Sequence, residues 1–140
     1  MKPADIMFAL IKNELFDVAL PENFSMELTE DAFSELYRIS KNQDLAHLIC
    51  ASLERNDLLP ENSETASKFR KQQMAAVFRY ERMNFEMDRI SRALEGGGIP
   101  YIPLKGAVIR AYYPEPWMRT SCDIDILIRE DDLDRAVSLL

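Results

Sequence analysis

Two acidic residues, Asp123 and Asp125, interrupt an apolar run that reads SCDIDILI over residues 121–128. Side chains alternate across a β-strand, so a strand here would point both carboxylates to one face and the isoleucines to the other. At a rise of about 3.3 Å per residue, the two Cα atoms would lie roughly 6.5 Å apart, and their oxygens could share cations. Magnesium prefers hard oxygen ligands together with waters and substrate phosphates. The pair therefore indicates a metal and nucleotide site, and the alternative is an amphipathic strand whose aspartates face water.

A turn that reads LKGA over residues 104–107 precedes this run. Gly106 lets the backbone approach a ligand closely, and the first amides of the following helix, including that of Ala107, would point at it. Lys105 and Arg119 could add charge-assisted hydrogen bonds to phosphate oxygens. Taken alone, Gly106 is an ordinary turn residue, and the two basic residues are surface charges. Together, in this order, the four residues favour the binding of a triphosphate.

The elements that must position these residues begin after a triple glycine at 96–98. The pattern predicts a strand over 99–104, a short helix over 107–113, a strand over 123–129 and a helix from 130 onward. Two prolines confine the first strand to a sheet edge or to its own ends. The order strand, helix, strand, helix is typical of the beginning of an α/β domain, so we expect the sequence to be truncated inside that domain.

The residues before the triple glycine have helical patterns. Apolar spacing predicts a helix over 4–18, an N-cap at Thr29 predicts one over about 30–40, and Asn42 is the predicted cap of a third. A pattern without Gly or Pro predicts one long helix over 63–95. We therefore predict an α+β protein with a helical region over 1–95 and the start of an α/β domain, a mixed sheet flanked by helices, over 96–140.

One stripe along the predicted long helix repeats in steps of three and four. It consists of Ala66, Phe69, Gln73, Ala76, Tyr80, Met83, Met87, Ile90 and Leu94. Such a stripe could pair two copies in a coiled coil, but in a globular protein it is more often buried against neighbouring helices. We predict a buried stripe, and self-association through helix 63–95 is the alternative.

The composition excludes several classes of protein. A net charge of −7 argues against binding of duplex nucleic acid, which requires clustered basic residues. No apolar run reaches the ~20 residues that cross a bilayer, and the N-terminus lacks the plan of a signal peptide, so we expect no membrane partner and a cytoplasmic protein. Cys50 and Cys122 have no metal-type spacing and are expected to be reduced. By strand alternation Cys122 should be buried, and His47, amid leucines, is expected to be packed instead of catalytic.

The run IPYIPLKGAVIRAYYPEPWMRTSCDIDILI resembles the start of the catalytic domain in the bacterial family of uncharacterised nucleotidyltransferases, within the DNA polymerase beta-like superfamily. The resemblance covers about 99–140. It implies a mixed sheet flanked by helices, which binds two Mg²⁺ or Mn²⁺ ions and the triphosphate of an NTP. By that resemblance Asp123 and Asp125 are the catalytic metal ligands and Gly106 is the glycine that phosphate approaches, while Lys105 and Arg119 match charged positions of the family.

The chain departs from the superfamily pattern in three respects. Ala107 stands where a serine or a second glycine is usual, and the gap from Gly106 to Asp123 is longer than the common spacing. The third acidic ligand has no counterpart, because Asp131, Asp132 and Asp134 belong to the next helix. The expected function is transfer of a nucleoside monophosphate from Mg-NTP, ATP among the nucleotides, to an unknown hydroxyl acceptor with release of pyrophosphate. The competing hypothesis is a non-catalytic helical interaction module that carries an incomplete nucleotidyltransferase remnant.

Overall fold

The computed structural model describes residues 1–140, which form two compact units, Met1–Ala76 and Val77–Leu140. The regular elements are α1 (Pro3–Phe16), α2 (Glu30–Asn42), α3 (Ala46–Arg55), α4 (Glu64–Gly96), β1 (Tyr101–Pro103), α5 (Gly106–Ile109), β2 (Ile126–Ile128) and α6 (Leu133–Leu139). Short 3-10 turns lie at Phe24–Glu27, Arg110–Tyr112, Pro116–Met118 and Glu130–Asp132. The predicted α+β class is confirmed, and helices dominate it. None of the helices combines the length and apolar character needed to cross a lipid bilayer.

The first unit is built from α1, α2, α3 and the N-terminal part of α4. The predicted cap at Thr29 is present, since its Oγ1 accepts a hydrogen bond from the amide of Ala32 at 3.3 Å and so satisfies a free N–H of the first turn. Phe69 of α4 is fully buried, with ring centroids 5.4 Å from Phe33 and 5.0 Å from Tyr37. Phe69 is one of twelve buried apolar residues that form the core of the unit.

A polar network also lies inside the first unit and joins α1 to α3. Asn13 Oδ1 accepts hydrogen bonds from Ser52 Oγ at 2.9 Å and from Asn56 Nδ2 at 2.8 Å, and Asn13 Nδ2 donates to the carbonyl of Val18 at 2.9 Å. Buried polar groups are tolerated when they are hydrogen-bonded in this way. The network therefore fixes the end of α1 against α3.

The stripe predicted along the long helix is buried or half-buried at each of its nine positions, as predicted. Within the first unit its aromatic member, Phe69, fills the core. Within the second unit Leu94 packs with Ile99 and Ala136, and Tyr80 lies under the guanidinium of Arg110 at 5.5 Å. The stripe is thus used inside the chain and leaves no free coiled-coil face there.

In the second unit β1 and β2 pair antiparallel, with Tyr101 opposite Ile128 and Pro103 opposite Ile126. Ile126 and Ile128 point toward the cluster of Leu94, Ile99 and Ala136, whereas Leu127 is exposed, so side chains alternate across β2 as expected. A further hydrogen bond, from the amide of Leu104 to the carbonyl of Asp125 at 2.9 Å, extends the pairing by one residue.

The prediction of a strand over 123–129 is wrong in its extent, because β2 contains only Ile126–Ile128. The reason lies in the partner strand. Pro103 has no N–H to donate, and the chain turns away at Lys105, whose φ of 48° is left-handed. Residues before Asp125 therefore have no strand to pair with.

Three other predicted boundaries also differ. The strand predicted over 99–104 is β1, and the helix predicted over 107–113 is the four-residue α5 followed by a 3-10 turn. Asn42 does not cap the third helix, since α2 continues through it and α3 begins at Ala46. The proposed division of the chain into regions 1–95 and 96–140 stays a prediction.

Candidate functional site

The LKG turn connects β1 to α5 through a strained backbone. Lys105 has φ 48° and ψ −111°, a conformation that residues with a side chain rarely adopt. Its carbonyl accepts hydrogen bonds from the amides of Val108 at 3.0 Å and Ile109 at 2.9 Å, which holds the turn closed. Such strain costs of order 1–3 kcal/mol and tends to occur at functional sites. Gly106 and Ala107 come before Val108 in the chain. Their amides are the first of the helix and therefore have no intrahelical acceptor.

Gly106 is required by a close approach of the loop that follows α5. A Cβ atom at this position would lie 3.1 Å from Ser121 Oγ and 3.2 Å from Ser121 Cβ, closer than side chains ordinarily pack. The absence of a side chain therefore lets residue 121 lie against the turn. This contact places the segment with Asp123 next to the turn.

Asp125 is joined to the same turn through its backbone and its side chain. Its backbone carbonyl accepts a hydrogen bond from the amide of Leu104, and its Oδ2 atom lies 3.4 Å from Lys105 Nζ. The side chain of Asp125 is 42% exposed and that of Lys105 is 75% exposed, so the ion pair is screened by water and contributes little to stability. The carboxylate is thus accessible, and Lys105 is free to change partners.

Asp123 is exposed and lines a cavity of about 90 Å³. The other lining residues are Met83, Asn84, Met87, Ala107, Arg110 and Ile124. Asp123 and Ile124 border the same cavity, whereas a regular strand would point them to opposite sides. The predicted alternation of acidic and apolar side chains therefore fails at this pair, although it holds in β2.

The neighbouring Cys122 is exposed, so the prediction of a buried thiol is wrong. Cys122 lies in a bend ahead of β2, and strand alternation does not apply to it. His47 is buried in α3, in agreement with the prediction of a packed residue.

The six predicted site residues are thus brought together in part. Lys105 and Asp125 meet as an ion pair, Gly106 lies against Ser121, and Ala107 and Asp123 share a cavity. Arg119 lies in the loop between α5 and β2, and its Nη1 atom donates a hydrogen bond to the carbonyl of Thr120. Its contact with phosphate stays a prediction.

The sequence patterns missed Arg110, which contacts both the turn and the loop that follows α5. Its Nε atom donates to the carbonyl of Gly106 at 3.0 Å, and its Nη2 atom donates to Ser121 Oγ at 2.8 Å. One side chain therefore links the turn to the loop that leads to Asp123. Arg110 lies four residues after Gly106, so helical spacing could have indicated that it reaches back over the turn.

The donor set fits a divalent cation in part. Asp123 and Asp125 supply carboxylate oxygens, the ligand type that Mg²⁺ and Mn²⁺ prefer, and both side chains are accessible. No group of three or more acidic, His or Cys side chains that could hold a metal ion is present in residues 1–140. Metal binding by Asp123 and Asp125 stays a prediction, in which waters and phosphate oxygens would complete the coordination.

Comparison with known proteins supplies the family. A family model described as an uncharacterised nucleotidyltransferase matches residues 29–140. The match covers most of the chain and includes α2, α3 and α4, so it extends beyond the residues on which the predicted resemblance rested. Neither the curated proteins nor the solved structures contained a match. The chain belongs to the uncharacterised nucleotidyltransferase family.

Proposed function

We propose that this nucleotidyltransferase-family chain binds Mg²⁺ or Mn²⁺ together with an NTP and contributes to transfer of a nucleoside monophosphate to a hydroxyl acceptor. The observation that carries the proposal is the junction of Asp125 with the LKG turn, through a backbone hydrogen bond of 2.9 Å and an ion pair of 3.4 Å. Carboxylates that bind a cation next to free backbone amides are suited to Mg-nucleotide.

Each predicted residue has a role in this proposal. Asp123 and Asp125 would hold the metal, and a bound metal would supply polarisation of the α-phosphate and a lower pKa for the acceptor hydroxyl. The amides of Gly106 and Ala107 donate to phosphate oxygens, and Lys105 and Arg119 neutralise phosphate charge. The acceptor hydroxyl gives its proton to water, its oxygen forms a bond to the α-phosphorus, the bond from that phosphorus to the bridging oxygen breaks, and pyrophosphate leaves.

The size of the cavity limits what it can hold. A volume of about 90 Å³ is well below the roughly 300–1,000 Å³ of pockets for drug-sized ligands. A phosphate group fits this volume, and the nucleoside must therefore lie outside it. The base preference and the acceptor, whether a sugar, an antibiotic, a protein side chain or an RNA end, depend on other surfaces. We place the reaction in the cytoplasm, where NTPs are available.

Nucleotide binding with and without metal tests the proposal. ATP, GTP, CTP and UTP should stabilise the wild-type protein in a thermal-shift series only when Mg²⁺ or Mn²⁺ is present. A ligand at 100 times its Kd stabilises by about 2.7 kcal/mol, which is easily measured. The metal dependence of this stabilisation should be lost in Asp123→Asn and in Asp125→Asn, because an amide replaces a charged metal ligand.

Asp131→Asn is the matched control, because Asp131 is an exposed carboxylate that lies beyond β2. It should retain the metal-dependent shift. The absence of such a shift in the wild-type protein, or an equal shift in all three variants, would contradict the proposal.

Self-association is a second candidate function, and the exposed face of α4 favours it. Phe78 and Phe85 are 71% and 68% exposed, and Glu81 and Arg82 lie exposed between them. An antiparallel pair of α4 helices centred between Glu81 and Arg82 would bring Phe78 opposite Phe85 of the second copy. The same pairing would bring Glu81 opposite Arg82, so charges and apolar groups match in a two-fold contact.

Light scattering after size-exclusion chromatography tests this candidate. The wild-type protein should dimerise with increasing concentration, and Phe85→Glu should be monomeric. Glu81→Arg should weaken the dimer, and addition of Arg82→Glu should restore it, because the opposite charges then face each other again. A wild-type protein that stays monomeric at its highest soluble concentration would remove the candidate.

A further inference from the structure

Arg110 is a buried cation whose direct partners in the structure are neutral. Its side chain is about nine-tenths buried, with a residual exposure of 9%. Nε donates to the Gly106 carbonyl, Nη2 donates to Ser121 Oγ, and the guanidinium lies over the ring of Tyr80. No carboxylate lies within ion-pairing distance of it. These contacts orient the guanidinium, and none of them supplies a negative charge.

A buried charge without an opposite charge is costly, because it has lost most of its water and gained only neutral partners. The ring of Tyr80 recovers part of this cost through a cation–π contact. An anion next to the guanidinium would reduce the remaining cost of burying its charge. The guanidinium of arginine binds carboxylate and phosphate best, because two of its N–H groups can donate hydrogen bonds to two oxygens of the same anion.

The cavity beside Arg110 is suited to a phosphate group. Its volume of about 90 Å³ equals roughly three water molecules at about 30 Å³ each. Arg110 and Ala107 line it together with the apolar side chains of Met83, Met87 and Ile124. These apolar walls lower the local dielectric and strengthen a charge-assisted hydrogen bond.

We propose that this cavity is a phosphate subsite in which Arg110 binds a non-transferred phosphate group of an NTP, or the pyrophosphate that is released. The assignment to an NTP rests on the proposed function, whereas the affinity for a phosphate group does not. Asp123 also lines the cavity, so a phosphate placed there shares it with a carboxylate as well as with the guanidinium. A cation held by Asp123 would remove the repulsion between that carboxylate and the phosphate.

Replacement of Asp123 separates the subsite from the metal. In Asp123→Asn a neutral amide replaces the carboxylate that lines the cavity, so pyrophosphate should bind without any metal. We expect calorimetry or an NMR titration with sodium pyrophosphate in the presence of EDTA, at constant ionic strength, to give saturable binding. Arg110→Lys in the Asp123→Asn background should weaken this binding about tenfold or more. The single ammonium group of lysine cannot donate the paired hydrogen bonds that the planar guanidinium gives to phosphate oxygens.

Two controls distinguish a binding role of Arg110 from a structural one. Ser121→Ala removes the bond to Nη2 but keeps the guanidinium, so pyrophosphate affinity should change less than about threefold, in contrast to the Arg110 variant. Arg82→Lys, an exposed arginine of α4, should leave the affinity unchanged. Circular dichroism and the thermal midpoint show whether each variant is folded.

An NMR measurement keeps the proposal testable if Arg110→Lys does not fold. The Nε–H group of Arg110 donates to a buried carbonyl, so its resonance should be protected from exchange and should shift as pyrophosphate saturates Asp123→Asn. Absence of metal-free binding in Asp123→Asn, an unchanged Arg110 resonance or equal affinity in Arg110→Lys would overturn this inference. The proposed function fails separately, through absence of Mg-NTP binding in the wild-type protein.

Discussion

The two compact units use their buried residues differently. In the first unit, twelve buried apolar residues form a core around Phe69, and the polar network at Asn13 is internally hydrogen-bonded. In the second unit the cluster under the two-stranded sheet has three buried members, and the direct contacts of the buried Arg110 are all neutral. The first unit is therefore organised for stability. The second carries the strained turn and a buried guanidinium beside a cavity, features that are typical of binding sites.

The largest contrast that we expect between the units is in the reactivity of their cysteines. Burial raises the pKa of Cys50 from 9.0 to about 12, and the charge of Glu54 adds to the increase, so its thiolate fraction near neutral pH falls about a thousandfold. Cys122 is exposed. Iodoacetamide should alkylate Cys122 rapidly and leave Cys50 unmodified until the protein unfolds, as measured by peptide mass spectrometry. Comparable rates at both thiols would contradict the described burial.

Replacement of one phenylalanine on α4 should distinguish core from surface. Phe69→Ala should lower the free energy of unfolding by about 3–5 kcal/mol, because a large buried ring leaves a cavity among Phe33 and Tyr37. Phe85→Ala, on the same helix but 68% exposed, should change it by less than about 0.5 kcal/mol. Denaturant unfolding, at a concentration where both proteins are monomeric, measures the difference. Similar losses in both variants would show that the two positions are equally buried.

Addition of a methyl group to the LKG turn should disturb the second unit specifically. Gly106→Ala should cost about 1–3 kcal/mol, since its Cβ would lie 3.1–3.2 Å from Ser121. It should also weaken nucleotide binding. Ser121→Gly in the same chain should recover stability by removing both close atoms. Gly96→Ala is the control, because no atom lies within 4 Å of its added Cβ, and it should be neutral or slightly stabilising.

The smallest effect concerns Glu14 of the first unit. Burial raises the pKa of Glu14 above 4.5, and the charge of Arg55, 3.4 Å away, opposes this rise only in part. The folded state therefore retains a proton that the unfolded chain loses. Stability from this group is complete below pH 4.5 and is lost as pH rises through the folded pKa. Relative to Glu14→Gln, the wild-type protein should become less stable across that window in urea titrations; an opposite slope would contradict the raised pKa.

Helices were predictable from the sequence because their signals are local. Thr29 as an N-cap, the absence of Gly and Pro over 64–95, and the repeat that buries Phe69 and Leu94 all act within a few residues, and each prediction is confirmed. The family was also readable, from the LKG turn and the two aspartates. Within the strand predicted over 123–129, the alternation of side chains was correct only for β2, where β1 is the partner strand.

The tertiary structure supplied what depends on residues distant in the chain. A strand needs a neighbour, and the loss of pairing where β1 ends at Pro103 made the run before Asp125 irregular and exposed Cys122. The role of Arg110 depends on Gly106, Ser121 and Tyr80, which meet only in the folded chain. Residue types therefore indicated the chemistry of the site. Its geometry was set by long-range pairing and by burial, neither of which leaves a periodic signal in the sequence.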